Sequence, residues 1–471
     1  MSSISVNNPF DQSLIKEIPQ TPESEAIKAM NAACELFDDR KRWLPAYERI
    51  EVFERVVDIM TARIEELTIL AASEGGKPYI DSKVEVLRAI NGVKLAIEHI
   101  PAIKGEEIPM GHTLSSANRM AFTRREPIGP VVSVSAFNHP LNLIVHQTVP
   151  ALAVGCPVVI KPAALTPLSC FRFVEILREA GLPEGWCSAI LPSRQITEQL
   201  VCDSRTNFFS FIGSAKVGWM LQSRLSPGTR SALEHGGAAP VIVDESMFQD
   251  SQRSKLDDMV NSLTKGGFYH AGQVCVSVQR IYVPAKYATK FAERIAEAAS
   301  VLKVGDQLKQ DTEVGPLITQ KELERVESWV SSAEQQGANI LCGGKRISDT
   351  CYSPTVLLNP SDVSEVSQME IFGPVVCVYA YESKDNAIAR ANSLPFAFQA
   401  SVFTQNLDDA LDSSQRLNAT AVMVNDHTAF RVDWMPFGGR DTSGIGMGGI
   451  PYSMHEMTQE KMTVIKSDVL L

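Results

Sequence analysis

The stretch 157-PVVIKPAALTPLSCFRFVEILREAGLPEGWCSAIL-191 decides the fold. It opens on 157-PVVIKPA-163, a short valine- and isoleucine-rich run that suits a strand buried on both faces. Thr166 and Pro167 then supply a helix start, Leu168, Phe171, Val174 and Leu177 fall on one face, and Gly181 with Pro183 ends the helix. A second apolar run, 187-CSAIL-191, follows. Strand, crossover helix and strand in this order build a parallel sheet.

The same alternation extends in both directions. The runs 130-PVVSVSAF-137, 208-FFSFI-212 and 240-PVIVD-244 read as further buried strands with helical stretches between them. Before them, residues 23 to 105 read as amphipathic helices, best seen in 46-AYERIEVFERVVDIMTARIEELTILAA-72. After Cys275 the alternation restarts with a helix over 285–302 and runs at 354-PTVLLN-359, 375-VVCVYAY-381 and 420-TAVMVN-425. The expectation is an α/β chain with two doubly wound parallel-sheet domains.

Bulk properties agree with that picture. The 471 residues exceed one compact core, and 44% hydrophobic with 21% charged residues are ordinary globular values. A net charge of −11 and the lack of any basic run argue against a nucleic-acid partner. The longest apolar stretch, 149-VPALAVGCPVVI-160, is too short to span a membrane and is broken by prolines. The N-terminus lacks the layout of a secretory signal. Nine scattered cysteines, without a CxxC or paired Cys/His spacing, read as reduced thiols in the cytoplasm, with no disulfide framework and no metal site.

Three features carry candidate chemistry. The segment 213-GSAKVG-218 lies between an apparent strand and helix, where it is either a plain turn or a cradle for phosphate at a helix N-terminus. Lys161 ends a buried strand, either snorkelling at the sheet edge or binding a hydroxyl or phosphate. Cys275, in 268-FYHAGQVCVSVQR-280, is either a small apolar filler or a nucleophile.

Eight segments occur together in order: 137-FNHPL-141, 160-IKPA-163, 213-GSAKVG-218, 233-LEHGGAAP-240, 272-GQVC-275, 370-EIFGPV-375, 436-PFGG-439 and 443-SGIG-446. On these the chain resembles the aldehyde dehydrogenase superfamily, and 75-GGKPY-79 extends the likeness toward the N-terminus. The resemblance implies that Cys275 is the nucleophile and that Glu234, 41 residues upstream, is the general base. Asn138 with the Cys275 backbone N–H would hold an oxyanion. For the cofactor, NAD or NADP, it implies Lys161 at the adenine ribose and Gly213, Ser214, Val217 and Gly218 at the pyrophosphate. Glu370 would bind the nicotinamide ribose, with Phe372 packing nearby.

The resemblance further implies a cofactor-binding domain (1–106 and 127–235), a catalytic domain (236–457), and a small β projection (107–126 and 458–471) that assembles a homodimer or homotetramer. The reaction expected is oxidation of a small aldehyde to the acid through a thiohemiacetal and a thioester hydrolysed by water. Its alternatives are a CoA-acylating semialdehyde dehydrogenase and a non-catalytic binding or structural member.

The chain departs from the family pattern at three places. Ala164 stands where strongly NAD-specific members carry a glutamate, which leaves NADP open, with Arg194 in a nearby loop. His235 replaces a leucine, and is either a titrating group or a hydrogen-bonded one. Arg431 and Trp434 precede the PFGG turn; with His139, Arg431 suggests an anionic or hydroxylated substrate, against an Arg431–Asp433 ion pair.

Overall fold

The computed structural model describes residues 2–249 and 252–470; Met1 and Leu471, the outer limits of the expected domains, and Asp250 and Ser251 within the expected catalytic domain lie outside the described residues. The chain is α/β, as expected, and its two large sheets are almost wholly parallel. The six-stranded sheet runs in the order Gly444–Ile445, Arg230–Glu234, Phe208–Ile212, Val131–Val134, Val158–Lys161, Cys187–Ala189. Only Gly444–Ile445 is antiparallel to its neighbour. The seven-stranded sheet runs Asn339–Cys342, Thr355–Leu358, Val375–Tyr381, Val278–Pro284, Ala239–Val243, Gln399–Phe403, Ala421–Val424, again with one antiparallel edge strand.

The stretch 157–191 forms the expected unit: strand Val158–Lys161, helix Leu168–Glu179, strand Cys187–Ala189. Its buried face differs in detail. Cys170, Phe173 and Ile176 join Leu168, Val174 and Leu177 in the core, whereas Phe171 lines a surface groove beside the N-terminal strand Leu14–Pro19. Burying one such apolar side chain contributes about 1.5–3 kcal/mol. The Thr166-Pro167 start supplies no side-chain cap. Instead the buried Glu74 carboxylate accepts from the Leu168 and Ser169 N–H groups at 2.7 and 2.8 Å, which couples this helix to Ile64–Gly75.

The amphipathic run 46–72 folds as two helices, Ala46–Ala62 and Ile64–Gly75. Arg63 leaves helical geometry between them (φ −116°, ψ 22°) and forks onto Glu179 with two 2.7 Å hydrogen bonds. A third sheet is wholly antiparallel: Thr458–Lys466 pairs along the length of Arg119–Pro127, which pairs with Glu107–Ile108.

These sheets meet in a way that creates the site. Strands of the six-stranded sheet end, at their carboxyl edge, in Lys161, Ile212 and Glu234 and in the loop that leads to Asn138. The strands Val278–Pro284 and Val375–Tyr381 of the seven-stranded sheet begin, at their amino edge, just after Cys275 and Phe372. The carboxyl edge of one sheet therefore faces the amino edge of the other, and open α/β sheets bind ligands beyond their strands' carboxyl ends.

Candidate active site

The loop ahead of Cys275 is conformationally unusual. His270, Ala271 and Gly272 are all left-handed, with φ of 48°, 53° and 70°. Two non-glycine residues in that region cost about 1–3 kcal/mol each, so the surroundings must impose the shape. Gln273 does so. Its buried amide donates to the carbonyls of His270 and Pro316 at 3.3 and 3.2 Å, and its Oε1 accepts from the Ile318 N–H at 2.9 Å. Gly272 has no alternative, because a Cβ there would meet the Gly373 carbonyl at 2.0 Å.

Gln273 also reaches across the seam: its carbonyl accepts from Asn138 Nδ2 at 3.0 Å. An amide nitrogen carries two hydrogens, so Asn138 is anchored by one and keeps the other for a second acceptor.

A cavity of about 540 Å³ opens between the sheets. Of the residues singled out in the sequence, Asn138, His139, Gly213, Ser214, Val217, Glu234, Cys275, Glu370, Phe372 and Arg431 line it. Lys161 and Gly218 do not. Lys161 lies further along the carboxyl edge, at the end of its strand, and Gly218 packs against His235, where a Cβ would meet the ring at 2.1 Å.

Burial dominates the electrostatics. It pushes the Cys275 thiol well above its usual range, helped by Glu234 and Glu370; the Arg431 guanidinium and the Cys275 backbone N–H oppose it. Burial likewise raises the Glu234 carboxyl, again against Arg431. Glu370 is pushed up to about 8 by burial, and its Oε1 has no hydrogen-bond partner.

Arg431 is poorly satisfied for a buried cation. Its guanidinium stacks on Phe437, 3.6 Å from the ring centroid, and reaches only His146 Nδ1 at 3.4 Å. Its Nε has no partner among the described residues. The expected alternative, an ion pair with Asp433, is absent among the described residues, because Asp433 is held by Arg88 at 2.7 Å and His146 Nε2 at 2.8 Å. His146, kept down to about 4 by burial, is neutral, and burial lowers the Arg431 pKa against the longer-range charges of Glu234 and Asp433.

His235 resolves toward its hydrogen-bonded alternative. Its Nδ1 lies 2.8 Å from the Gly213 carbonyl, and its ring packs against Phe211 and Trp219, holding the turn at 213. Trp434, by contrast, is 53% exposed and does not line the cavity.

The remaining features fit a nicotinamide dinucleotide. A Cβ at Gly236 would overlap Glu370 Oε1 at 1.6 Å, so glycine there keeps that unpartnered acceptor in place at the cavity wall. Strand Phe208–Ile212 runs through Gly213 into helix Ala215–Gln222, whose first turn offers free N–H groups. Lys161 is mostly buried, and burial, then the Arg194 charge, lowers its pKa.

Several contributors escape the sequence reading: Gln273 as loop anchor, the Arg88–Asp433–His146 cluster, and a buried lysine, Lys77, that touches His139. The one signal for the last was the lysine of 75-GGKPY-79, set among glycine and proline.

Comparison with known proteins agrees with this geometry. The aldehyde dehydrogenase family model matches residues 1–463. A 3-sulfolactaldehyde dehydrogenase of Priestia aryabhattai is 37% identical over 462 residues, covering 98% of this chain and 94% of the relative. The crystal structure of aldehyde dehydrogenase 21 from Physcomitrella patens, in complex with the reaction product succinate, superposes with a TM-score of 0.94 at 34% identity, covering 100% of this chain and 96% of that one. Glyceraldehyde-3-phosphate dehydrogenase from Methanocaldococcus jannaschii, complexed with NADP, gives 0.92 at 34% identity, covering 99% and 100%. The chain belongs to the aldehyde dehydrogenase family and is an NAD(P)-dependent aldehyde oxidoreductase.

Proposed function

We propose that the enzyme oxidises a small, anionic, hydroxylated aldehyde to its carboxylic acid. The observation that carries this reading is Arg431: a guanidinium in the wall of the cavity that holds Cys275, with no carboxylate in ion-pair contact among the described residues. A planar cation of this kind pairs well with carboxylate, sulfonate or phosphate. The names of the relatives support it, since sulfolactaldehyde and glyceraldehyde 3-phosphate each carry a hydroxyl and an anion near the aldehyde, and succinate is a dianion.

In this reading the Cys275 thiol gives its proton to water in the cavity, and the sulfur attacks the aldehyde carbon to give a thiohemiacetal. The free N–H of Asn138 and the Cys275 backbone N–H receive the oxyanion; losing one such donor costs on the order of 100-fold or more. A bound nicotinamide dinucleotide supplies the hydride acceptor that turns the thiohemiacetal into a thioester. Glu234 then takes a proton from water, the hydroxide adds to the thioester carbon, and the Cys275 sulfur departs. Burial raises the Glu234 carboxyl, which makes it a stronger base than an exposed glutamate.

Lys161 and Arg194 would face the adenosine end of the cofactor, with Glu370 at the nicotinamide ribose, Phe372 beside it and Gly213, Ser214, Val217 and Gly218 at the pyrophosphate. Two cations that feel each other's charge, with Ala164 in place of a carboxylate, favour the 2′-phosphate of NADP.

The proposed division is a cofactor-binding domain over 1–106 and 127–235, a catalytic domain over 236–457 and a projection over 107–126 and 458–471; the two large sheets support it except at Gly444–Ile445, which pairs with the six-stranded sheet. Exposed Met120, Phe122, Met462, Val464 and Ile465 on that projection support assembly into a homodimer or homotetramer. Nine free cysteines suit the reducing cytoplasm, and no helix among the described residues is long and apolar enough to cross a membrane.

The test is nicotinamide reduction with a panel of neutral, hydroxylated and anionic aldehydes, each with NAD and NADP. Highest kcat/KM with anionic aldehydes supports the proposal. Equal rates for neutral and anionic aldehydes of the same size would sink it.

A further inference from the structure

The cavity wall beside Asn138 holds an ion pair that the chemistry above does not use. Lys77 is fully buried, at 0% exposure, and its Nζ contacts Glu85 Oε2 at 2.5 Å and His139 Nδ1 at 2.6 Å. The other Glu85 oxygen accepts from the Leu141 and Asn142 N–H groups at 2.9 and 3.0 Å, at the start of helix Asn142–Val154. Glu85 thus receives three N–H donors; burial lowers the Lys77 pKa, and the contact with Glu85 at 2.5 Å opposes that and favours the ammonium form.

An ammonium has donors and no acceptor, so His139 Nδ1 must present its lone pair. Charge around the ring keeps it neutral: burial, then Lys77, Arg88, His270 and Arg431, all drive its pKa well below the usual histidine value. A neutral ring with Nδ1 unprotonated carries its hydrogen on Nε2. That nitrogen has no hydrogen bond to protein among the described residues, and the ring lines the cavity next to Asn138.

We propose that the buried Lys77–Glu85 pair fixes His139 as the Nε2–H tautomer, making it a hydrogen-bond donor to an oxygen on the carbon adjacent to the aldehyde. Lys77 and Glu85 are positioning residues, and His139 is the group that touches substrate. The inference rests on the substrate reading above for what the donor meets, but not for the tautomer itself. It gives the hydroxyl and the remote anion separate readers: His139 for the first, Arg431 for the second.

Removing Lys77 changes the chemistry in a predictable sense. In Lys77→Met, His139 Nδ1 faces Glu85 Oε2, 3.8 Å away, and gains a proton to donate to it. The neutral ring then offers Nε2 as an acceptor, and only the doubly protonated ring donates from both nitrogens. Groups facing the ring in this variant are Glu85, Arg88, Tyr269, His270 and Arg431.

The measurement is the ratio of kcat/KM for a 2-hydroxyaldehyde over its 2-deoxy analogue, followed across neutral pH. Wild type should give a pH-independent ratio in favour of the hydroxyl. Lys77→Met should match it at low pH and lose about three- to tenfold as pH rises past the ordinary histidine range, the scale of one net hydrogen bond.

Long-range proton–nitrogen spectra of ring-labelled wild type, with His139→Gln used for assignment, read the tautomer directly and need no Lys77 variant. An unprotonated Nδ1 supports the inference. A protonated Nδ1, or a folded Lys77→Met whose ratio equals wild type at every pH, overturns it. A wild-type ratio near one, with Nδ1 unprotonated, overturns the donor role alone, and the test of Arg431 against anionic aldehydes stands apart from it.

Discussion

Arg431 and Asp433, two residues apart, do not pair: the carboxylate is held by Arg88 and His146, and the guanidinium is left over the Phe437 ring facing the cavity. A short-range ion pair would have been the simplest fate for both. Its absence turns one residue into structure and leaves the other free for a ligand.

Arg431→Ala should therefore cost activity selectively. A charge-assisted hydrogen bond contributes about 1.5–3 kcal/mol, so kcat/KM for anionic aldehydes should fall roughly 10- to 100-fold. Neutral aldehydes of similar size should fall less, by the share that comes from losing the Arg431 charge beside Cys275 and Glu234. Steady-state kinetics on both sets checks this, and a uniform loss would place Arg431 in the fold.

Asp433→Asn should act on stability first. It leaves the mostly buried Arg88 without its charge partner, a change that costs about 3–5 kcal/mol in comparable sites. Chemical denaturation should show a lower midpoint with an unchanged slope.

Glu234→Gln separates the two halves of the reaction. Hydrolysis needs a base that glutamine cannot supply, so steady-state turnover should drop by about 100- to 10,000-fold. Rapid mixing should then show one equivalent of reduced cofactor per site followed by a slow phase. A first turnover slowed as much as the steady state would mean that Glu234 also limits deprotonation of Cys275.

Glu370 ties stability to pH. Its folded-state carboxyl, near 8, lies above the ordinary 4.5, so its contribution is fully present below about 4.5 and is lost as pH rises through 8. In the cofactor-free enzyme, Glu370→Gln should be more stable than wild type at pH 8 and above, by on the order of a few kcal/mol, with the gap closing toward pH 4.5. Thermal melts across that range check the sign. A constant difference at every pH would mean that Glu370 ionises normally in the fold.

Arg194→Ala tests the cofactor preference. Arg194 is exposed, so its attraction for a 2′-phosphate is screened, and the KM for NADP should rise up to about fivefold, more at low salt. The KM for NAD should not move.

Much of the architecture is legible in the chain itself. The strands at 131–134, 158–161, 208–212 and 375–381 announce themselves as valine- and phenylalanine-rich runs because both their faces are covered. Cys275, Glu234 and Asn138 stand out only through the resemblance of their segments to the family; on its own residues Cys275 reads equally as apolar filler. What stays hidden is whatever depends on partners far apart. Arg88 and Asp433 are separated by 345 residues, and Lys77 and His139 by 62, and no periodicity encodes such pairs. The break at Arg63 is hidden for another reason: no proline or glycine marks it, and the cause is a tertiary contact with Glu179.

The hydrogen bond from Asn138 to the Gln273 carbonyl spans 135 residues and joins the loops of two different sheets. Neither sheet owns the site: one brings Cys275, the other Glu234 and Asn138. Catalysis thus reports on the docking of two layers rather than on the integrity of either. A denaturant or substitution that loosens the seam by an ångström or two silences the enzyme while both sheets keep their secondary structure, and activity becomes the most sensitive gauge of how tightly the halves are closed.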